Sequence, residues 1–225
     1  IPSEICIVYL IKSGLYNYEK REVIRKTWGN DTRLDEYKIK KVFMLGVNLT
    51  DSKAMEKTLE ESATFGDMLI GDFEDTYYNL SIKAMMGVNW CREFCPHAKF
   101  YYRLYGGILF AGTSPIRYAH KWYVSESEYP YATYPAYING IAFLANFAAF
   151  QAFYEASLVT RDCKFDDAYF GYLSLKAGIT PIHIPGFSLA TMNFSNIQDF
   201  ETIIASHPYS VNDALKAWEI ENNMK

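Results

Sequence analysis

The chain has 225 residues, half of them apolar and 17% aromatic, enough for one substantial core. Charged residues make up 21% and the net charge is −4, which leaves no basic surface for a nucleic acid or an anionic membrane. A sugar partner suits the Tyr and Trp content better, because aromatic faces pack on pyranose C–H groups while their polar tips reach hydroxyls.

Ile5 to Ile11 is a continuous apolar, β-branched run, the pattern of a strand buried on both faces. Lys12-Ser13-Gly14 ends it, and a helix from Tyr18 to Trp28 follows, with Val23, Ile24 and Trp28 on one face and Arg21 and Arg25 on another. Trp28 reads as a core anchor. A second strand spans Lys41 to Leu45, and Asp51 or Ser52 caps a helix carrying Met55, Leu59 and Ala63 that Gly66 closes. Met68 to Ile70 is a third strand. Asp72 to Asp75 forms a loop before a long helix, about Asn79 to Cys95, and Lys99 to Leu104 is a fourth strand. This β-α-β-α alternation predicts an α/β fold with a mainly parallel sheet flanked by helices and ligands beyond the strands' C-terminal ends.

Pro115 to Tyr137 is a long Tyr-, Pro- and Ser-rich functional loop. Ile138 to Leu144 is a strand, Asn146 to Ser157 a helix, Asp166 to Ala177 a helix stopped by Gly178, and Thr180 to Ile184 a final strand; a peripheral helix begins near Val211. The whole chain reads as one domain, divided into halves at residues 1–104 and 105–225.

No run of about 18 apolar residues is present, so nothing here spans a bilayer; the longest stretch, Ile141 to Phe150, is interrupted by Asn146. The start, Ile1-Pro2-Ser3-Glu4, has no signal-peptide pattern, and a membrane anchor, if the protein has one, is expected upstream of residue 1. Asn-x-Ser/Thr sequons at Asn30, Asn48, Asn79 and Asn193 tilt the chain toward the secretory pathway as glycosylation sites. Cys6, Cys91, Cys95 and Cys163 allow three pairings, and Cys91 and Cys95 lack the second cluster that a structural zinc needs. His97, His120, His183 and His207 form no triad or metal motif.

Several segments, in order, resemble the β1,3-galactosyltransferase and β1,3-N-acetylglucosaminyltransferase family of Golgi enzymes. They are Arg21 to Gly29, Phe43 to Gly46, Gly66 to Leu69, Asp72 to Lys83, Trp90 and Cys95, then Pro115-Ile116-Arg117, Lys121 to Val124, Tyr134 to Tyr137, Gly140 and Phe165 to Gly171. The resemblance implies a GT-A-like, Rossmann-type nucleotide-sugar fold and transfer of a hexose, galactose or N-acetylglucosamine, from a UDP-sugar to a hydroxyl of a glycan on a glycoprotein or glycolipid. It implies a Golgi-lumenal, type II membrane protein, and inversion at the anomeric carbon with a carboxylate taking the acceptor's proton.

Asp167, with Asp166 beside it at a helix start, matches the family's Glu-Asp-Val segment and is the candidate base; the helix N-terminus is expected to keep it ionised. Helix capping is the competing role for both. Lys12, Ser13, Arg21 and Arg25 are candidates to bind the nucleotide, with guanidinium groups suited to phosphate. A solvated basic helix face is the alternative. Arg117, Lys121, Trp122, Tyr123 and Gly140 are candidates for the substrate pocket.

The family also places an Asp-x-Asp segment directly after the fourth strand to hold Mn²⁺ or Mg²⁺ against the diphosphate. This chain has no Asp or Glu from Phe94 to Ser125, so the ligands of that ion are not present and its metal residues are unknown. A few tens of residues are missing around Leu104 and Tyr105, and the partner that the family gives Cys95, near Ile138, is missing too. Three explanations stay open: loss of the segment through splicing, a non-catalytic binder of glycan or partner, or replacement of the ion by Arg103, Arg117 or Lys121. The deletion predicts poor packing from Arg103 to Thr113.

Overall fold

The computed structural model describes residues 5–30, 38–94, 103–191, 202–206 and 210–222. In the first half, strands β1 (Ile5–Lys12), β2 (Lys38–Val47) and β3 (Met68–Glu74) form a parallel sheet in the order β1-β2-β3. Helices α1 (Tyr18–Lys26) and α2 (Ser52–Phe65) connect them. Leu10 pairs with Val42 and Leu45 with Ile70, so the three C-terminal ends reach one edge. The strand buried on both faces is β2, with Val42 to Leu45 in the core, rather than β1. The order explains this: β2 has two neighbours, whereas β1 pairs only with β2 among the described residues.

Capping residues set the helix limits. Asp51 Oδ1 accepts the Ala54 N–H at 3.0 Å at the start of α2, and Gly66 closes it with φ 60°. The buried face of α2 passes through Thr58, while Leu59 is 55% exposed, because charged residues of α1 occupy the face an apolar pattern would claim. Trp28 is likewise no core anchor: it is 47% exposed and meets the Tyr9 ring edge-on, centroids 5.6 Å apart. A 3-10 turn (Tyr77–Asn79) leads into α3 (Leu80–Phe94), whose Ala84, Val88 and Cys91 face the core.

The second half is built on β4 (Tyr105–Phe110), which pairs antiparallel with β5 (Tyr137–Ala145) and parallel with the short β6 (Ile182–His183). Helices α4 (Phe147–Ser157) and α5 (Asp166–Ala177) cover it, with Asn146 capping α4 and Gly178 closing α5 at φ 64°. Two-residue strands β7 (Phe187–Ser188) and β8 (Ala205–Ser206) pair with each other, and α6 (Val211–Asn222) lies on α1. The fold is α/β with helices on parallel strands, but the described strands form two three-stranded sheets and a two-stranded one rather than a single sheet. The expected fourth strand falls mostly outside the described residues, and Arg103 and Leu104 at its end are not in a strand.

The stretch expected to pack worst instead anchors the main core. Tyr105 is 1% exposed and meets Phe143 and Phe153 edge-on at 5.4 and 5.2 Å. Two glycines allow this. A methyl at Gly106 would sit 2.5 Å from Ile184 Cδ1 and one at Gly107 2.6 Å from Ile138 Cγ2, so only bare backbone lets β6 and β5 close on β4.

Candidate functional site

The C-terminal edge of the first sheet meets the N-terminus of α5. Lys12, the last residue of β1, places its ammonium between Asp166 Oδ2 and the Gly140 carbonyl, 3.3 Å from the latter. Asp167, next to Asp166, lies beside Gly140 of β5: a methyl on Gly140 would be 3.6 Å from its Oδ2. Its Oδ1 accepts the Ala168 N–H at 2.7 Å. Four residues from opposite halves of the sequence, Lys12, Gly140, Asp166 and Asp167, thus form one polar cluster.

Neither Asp caps α5. The N-cap position is Phe165, and Asp166 and Asp167 occupy the first turn. The electrostatics of Asp167 differ from the expectation of a helix start that favours charge. Burial pushes its carboxyl above the ordinary carboxylate range, and Asp166 adds to the rise. The amides of Ala168 and Gly140 and the Lys12 ammonium offset only part of it. A raised pKa makes a stronger base once ionised, the property proton abstraction asks of it. Two tyrosines respond to the same charge: burial first, and Asp167 further, raise the pKa of Tyr105 and Tyr137.

Behind Lys12, the loop from β1 to α1 is held by charge. Arg21 is 1% exposed and gives its donors to Glu61, the Ser13 hydroxyl and the carbonyls of Gly14 and Leu15, at 2.6–3.2 Å. It shapes the loop and has no donor to spare for a phosphate. Arg25 is similarly committed, to both oxygens of Asp67 and to Glu61, with its guanidinium stacked 4.0 Å from the Phe65 ring centroid. It lies toward the strands' N-terminal edge, beside an open cavity of about 220 Å³ lined also by Lys40, Lys41 and Phe65, away from Asp167. The expectation that Arg21 and Arg25 meet the nucleotide is therefore replaced by a scaffolding role. Ser13 is buried, with its hydroxyl on Arg21.

Lys83, outside the site candidates named from sequence, also belongs to this edge. It is buried in α3 and donates to the Ser13 carbonyl and to Asp75 Oδ1, both at 2.6 Å, while Asp75 Oδ2 accepts the Gly46 N–H at 3.0 Å. This knot ties the ends of β1 and β2 to α3. Its signal was present in the segment from Asp72 to Lys83, where an acid and a lysine bracket the start of a helix.

The pocket candidates separate into two groups. Arg117 donates to the carbonyls of Val124, Tyr129 and Tyr131, so it organises the long loop from within. Lys121, Trp122 and Tyr123 are exposed, and the first two lie against Tyr77. Trp122 Nε1 donates to the Tyr77 hydroxyl at 2.8 Å, and the Lys121 ammonium lies 4.4 Å from the Tyr77 ring centroid. Tyr77 also approaches Phe165, 6.3 Å between centroids, which places this group next to the start of α5. Arg103 binds the Ala177 carbonyl, at the end of α5 away from the carboxylates, about 16 Å along a helix of that length. Arg103 and Arg117 therefore do not fill the role of phosphate clamp.

Among the sequons, Asn30 is exposed, and Asn48 bonds Thr50 through Oδ1. The amide nitrogen of Asn79, the atom that would carry a glycan, is instead given to the Glu74 carbonyl at 2.8 Å. Asn193, Cys95, His97 and His207 lie outside the described residues. No helix among the described residues is long and apolar enough to cross a membrane.

The described residues do not fit a divalent ion. Among the described residues no three His, Cys, Asp or Glu side chains converge. At the sheet edge Asp166 is taken by Lys12 and Asp75 by Lys83.

A family model described as galactosyltransferase matches residues 19–105 and 102–185, two pieces that meet at the start of β4. The chain is 32% identical to "Beta-1,3-galactosyltransferase brn" of Drosophila melanogaster over 230 residues, 90% of this chain and 70% of that protein. It is 28% identical to "Beta-1,3-galactosyltransferase 1" of Mus musculus over 246 residues, 97% of this chain and 74% of that one. Since 97% of 225 residues is about 218, about 28 of those 246 aligned positions have no residue of this chain opposite them. With a carboxylate pair at the mouth of a parallel α/β sheet and a family match over most of its length, the chain belongs to the galactosyltransferase family of glycosyltransferases.

Proposed function

We propose that the chain moves galactose, or alternatively N-acetylglucosamine, from a UDP-sugar to a glycan hydroxyl in β1,3 linkage, inverting the anomeric carbon. The acceptor is a glycoprotein or glycolipid, and the working place is the Golgi lumen. The observation that carries this reading is the half-buried Asp167 carboxylate, with its pKa raised, beside Lys12 at the sheet edge where α/β folds hold ligands.

The chemistry asked of these residues is limited. As the acceptor oxygen bonds to the anomeric carbon, its proton passes to an Asp167 oxygen and the bond to UDP breaks on the opposite face of the sugar. Lys12 holds Asp166 in place, and the Gly140 carbonyl orients that ammonium. Lys121, Trp122 and Tyr123, with Tyr77, offer rings and polar tips for the acceptor.

The test is sugar transfer from labelled UDP-galactose and UDP-N-acetylglucosamine to a set of β-linked acceptors. Asp167→Asn is expected to lower the rate by about 10²–10⁴-fold, the usual worth of a general base. Wild-type rates in that variant would end the assignment. A second reading, a glycan binder without chemistry, draws on the roughly 28 aligned positions that this chain lacks. It predicts saturable glycan binding and no transfer by the wild-type chain.

A further inference from the structure

The misfit between the family's ion and this chain's side chains leads to an inference that rests on the transferase reading. A diphosphate entering the edge of the first sheet needs positive charge, and the buried cations there are already taken. Arg21 is committed to Glu61 and three further oxygens, and Lys83 to Asp75 and the Ser13 carbonyl, in pairs whose side chains are at most 10% exposed. Lys12 differs. Its side chain is 26% exposed, and of its three N–H groups two are given to Asp166 and the Gly140 carbonyl among the described residues. One donor is left for a ligand, on a residue that stands between the sheet edge and the candidate base.

We propose that this chain binds the nucleoside diphosphate part of its donor through the Lys12 ammonium, independently of a divalent ion. One cation then faces two carboxylates, Asp166 and Asp167, in addition to the ligand. The phosphate competes with Asp166 for Lys12, so binding is weaker than at an ion-loaded site and falls as salt rises. The same geometry makes Lys12 indispensable, since without it the ligand meets only Asp166 and Asp167 at this point of the edge.

Calorimetric titration of UDP into the full chain, once with EDTA and once with Mn²⁺, tests the proposal on the unaltered protein. The affinity is expected to agree within about twofold between the two conditions. In EDTA, Lys12→Met is expected to lose about tenfold or more, the scale of one charge-assisted hydrogen bond, and Lys12→Arg to stay close to wild type. Far-UV circular dichroism checks that both variants fold, and the comparison of EDTA with Mn²⁺ needs no variant at all. UDP binding that appears only with Mn²⁺ overturns the inference and leaves the transferase reading standing. Unchanged affinity in folded Lys12→Met overturns the role of Lys12. Failure to bind UDP under either condition overturns the nucleotide site itself, and the inference with it.

Discussion

Replacing Lys83 by Met removes the cation from the knot that ties the ends of β1 and β2 to α3. The side chains of Lys83 and Asp75 are 3% and 8% exposed, so the change leaves a carboxylate buried with only the Gly46 N–H, and the Ser13 carbonyl loses its 2.6 Å donor. Breaking a buried pair from one side costs about 3–5 kcal/mol, because the remaining charge keeps its desolvation penalty and loses its attraction. For a chain of this size that corresponds to a fall in melting temperature on the order of 10 °C. Chemical denaturation of wild type, Lys83→Met, Asp75→Asn and the double variant gives the coupling directly. The double variant should recover a large part of the loss, since it leaves no buried carboxylate charge unpaired. Additive losses, or a Lys83→Met cost below about 1 kcal/mol, would refute the argument that this pair is buried and coupled.

Gly171 lies one turn after Asp167, and a methyl there would meet Tyr137 Cβ at 2.8 Å and the Ala136 carbonyl oxygen at 3.2 Å. Gly171→Ala should therefore cost about 1–3 kcal/mol in denaturant melts and lower transfer, because α5 has to move off β5. Asp167 also predicts a pH dependence of stability. Since burial raises its carboxyl above the ordinary 3.8, the folded chain keeps a proton that the unfolded chain has lost between those two pKa values. Its contribution to stability falls as pH rises through that window and stays reduced above it. Asp167→Asn should flatten that fall and be more stable than wild type at neutral pH; lower stability there would contradict a desolvated carboxylate.

Most helices were legible because their ends carry local signals: Asp51 and Asn146 accept amide protons, and Gly66 and Gly178 turn the chain at φ 60° and 64°. What was not legible depended on distant partners. Arg21 and Arg25, four apart on α1, look like a solvated or anion-binding face, and their acids Glu61 and Asp67 are 36–42 residues further along the chain. The same network explains why Leu59 is exposed and Thr58 buried on α2. A run such as Ile5 to Ile11 gives apolarity but not sheet order, so it could not say that β2, rather than β1, lies in the middle. Position 105 failed for a related reason. A chain lacking an expected segment suggests exposed apolar faces, yet Gly106 and Gly107 let three strands close around Tyr105. The carboxylate cluster was half legible: sequence placed Asp166 and Asp167 at a helix start, but only the fold brings Lys12 and Gly140 to them.

Helix α5 shows how one element carries both an unfavourable site and its support. Its first turn sets two carboxylates side by side, one held by Lys12 and the other half-buried beside Gly140, an arrangement that disfavours the ionised form. The residues that follow, Tyr169, Phe170 and Leu173, are buried in the main core against Tyr105 and Phe153, and Gly171 allows direct contact with Tyr137. Apolar burial of that kind contributes about 1.5–3 kcal/mol for each large side chain, enough to hold the turn before it in an unfavourable environment. Changes on the two parts of α5 should therefore differ in kind. Substituting the carboxylates alters chemistry with little loss of fold, whereas substituting the packed face disturbs both, because the position of Asp167 is inherited from the packing one turn later.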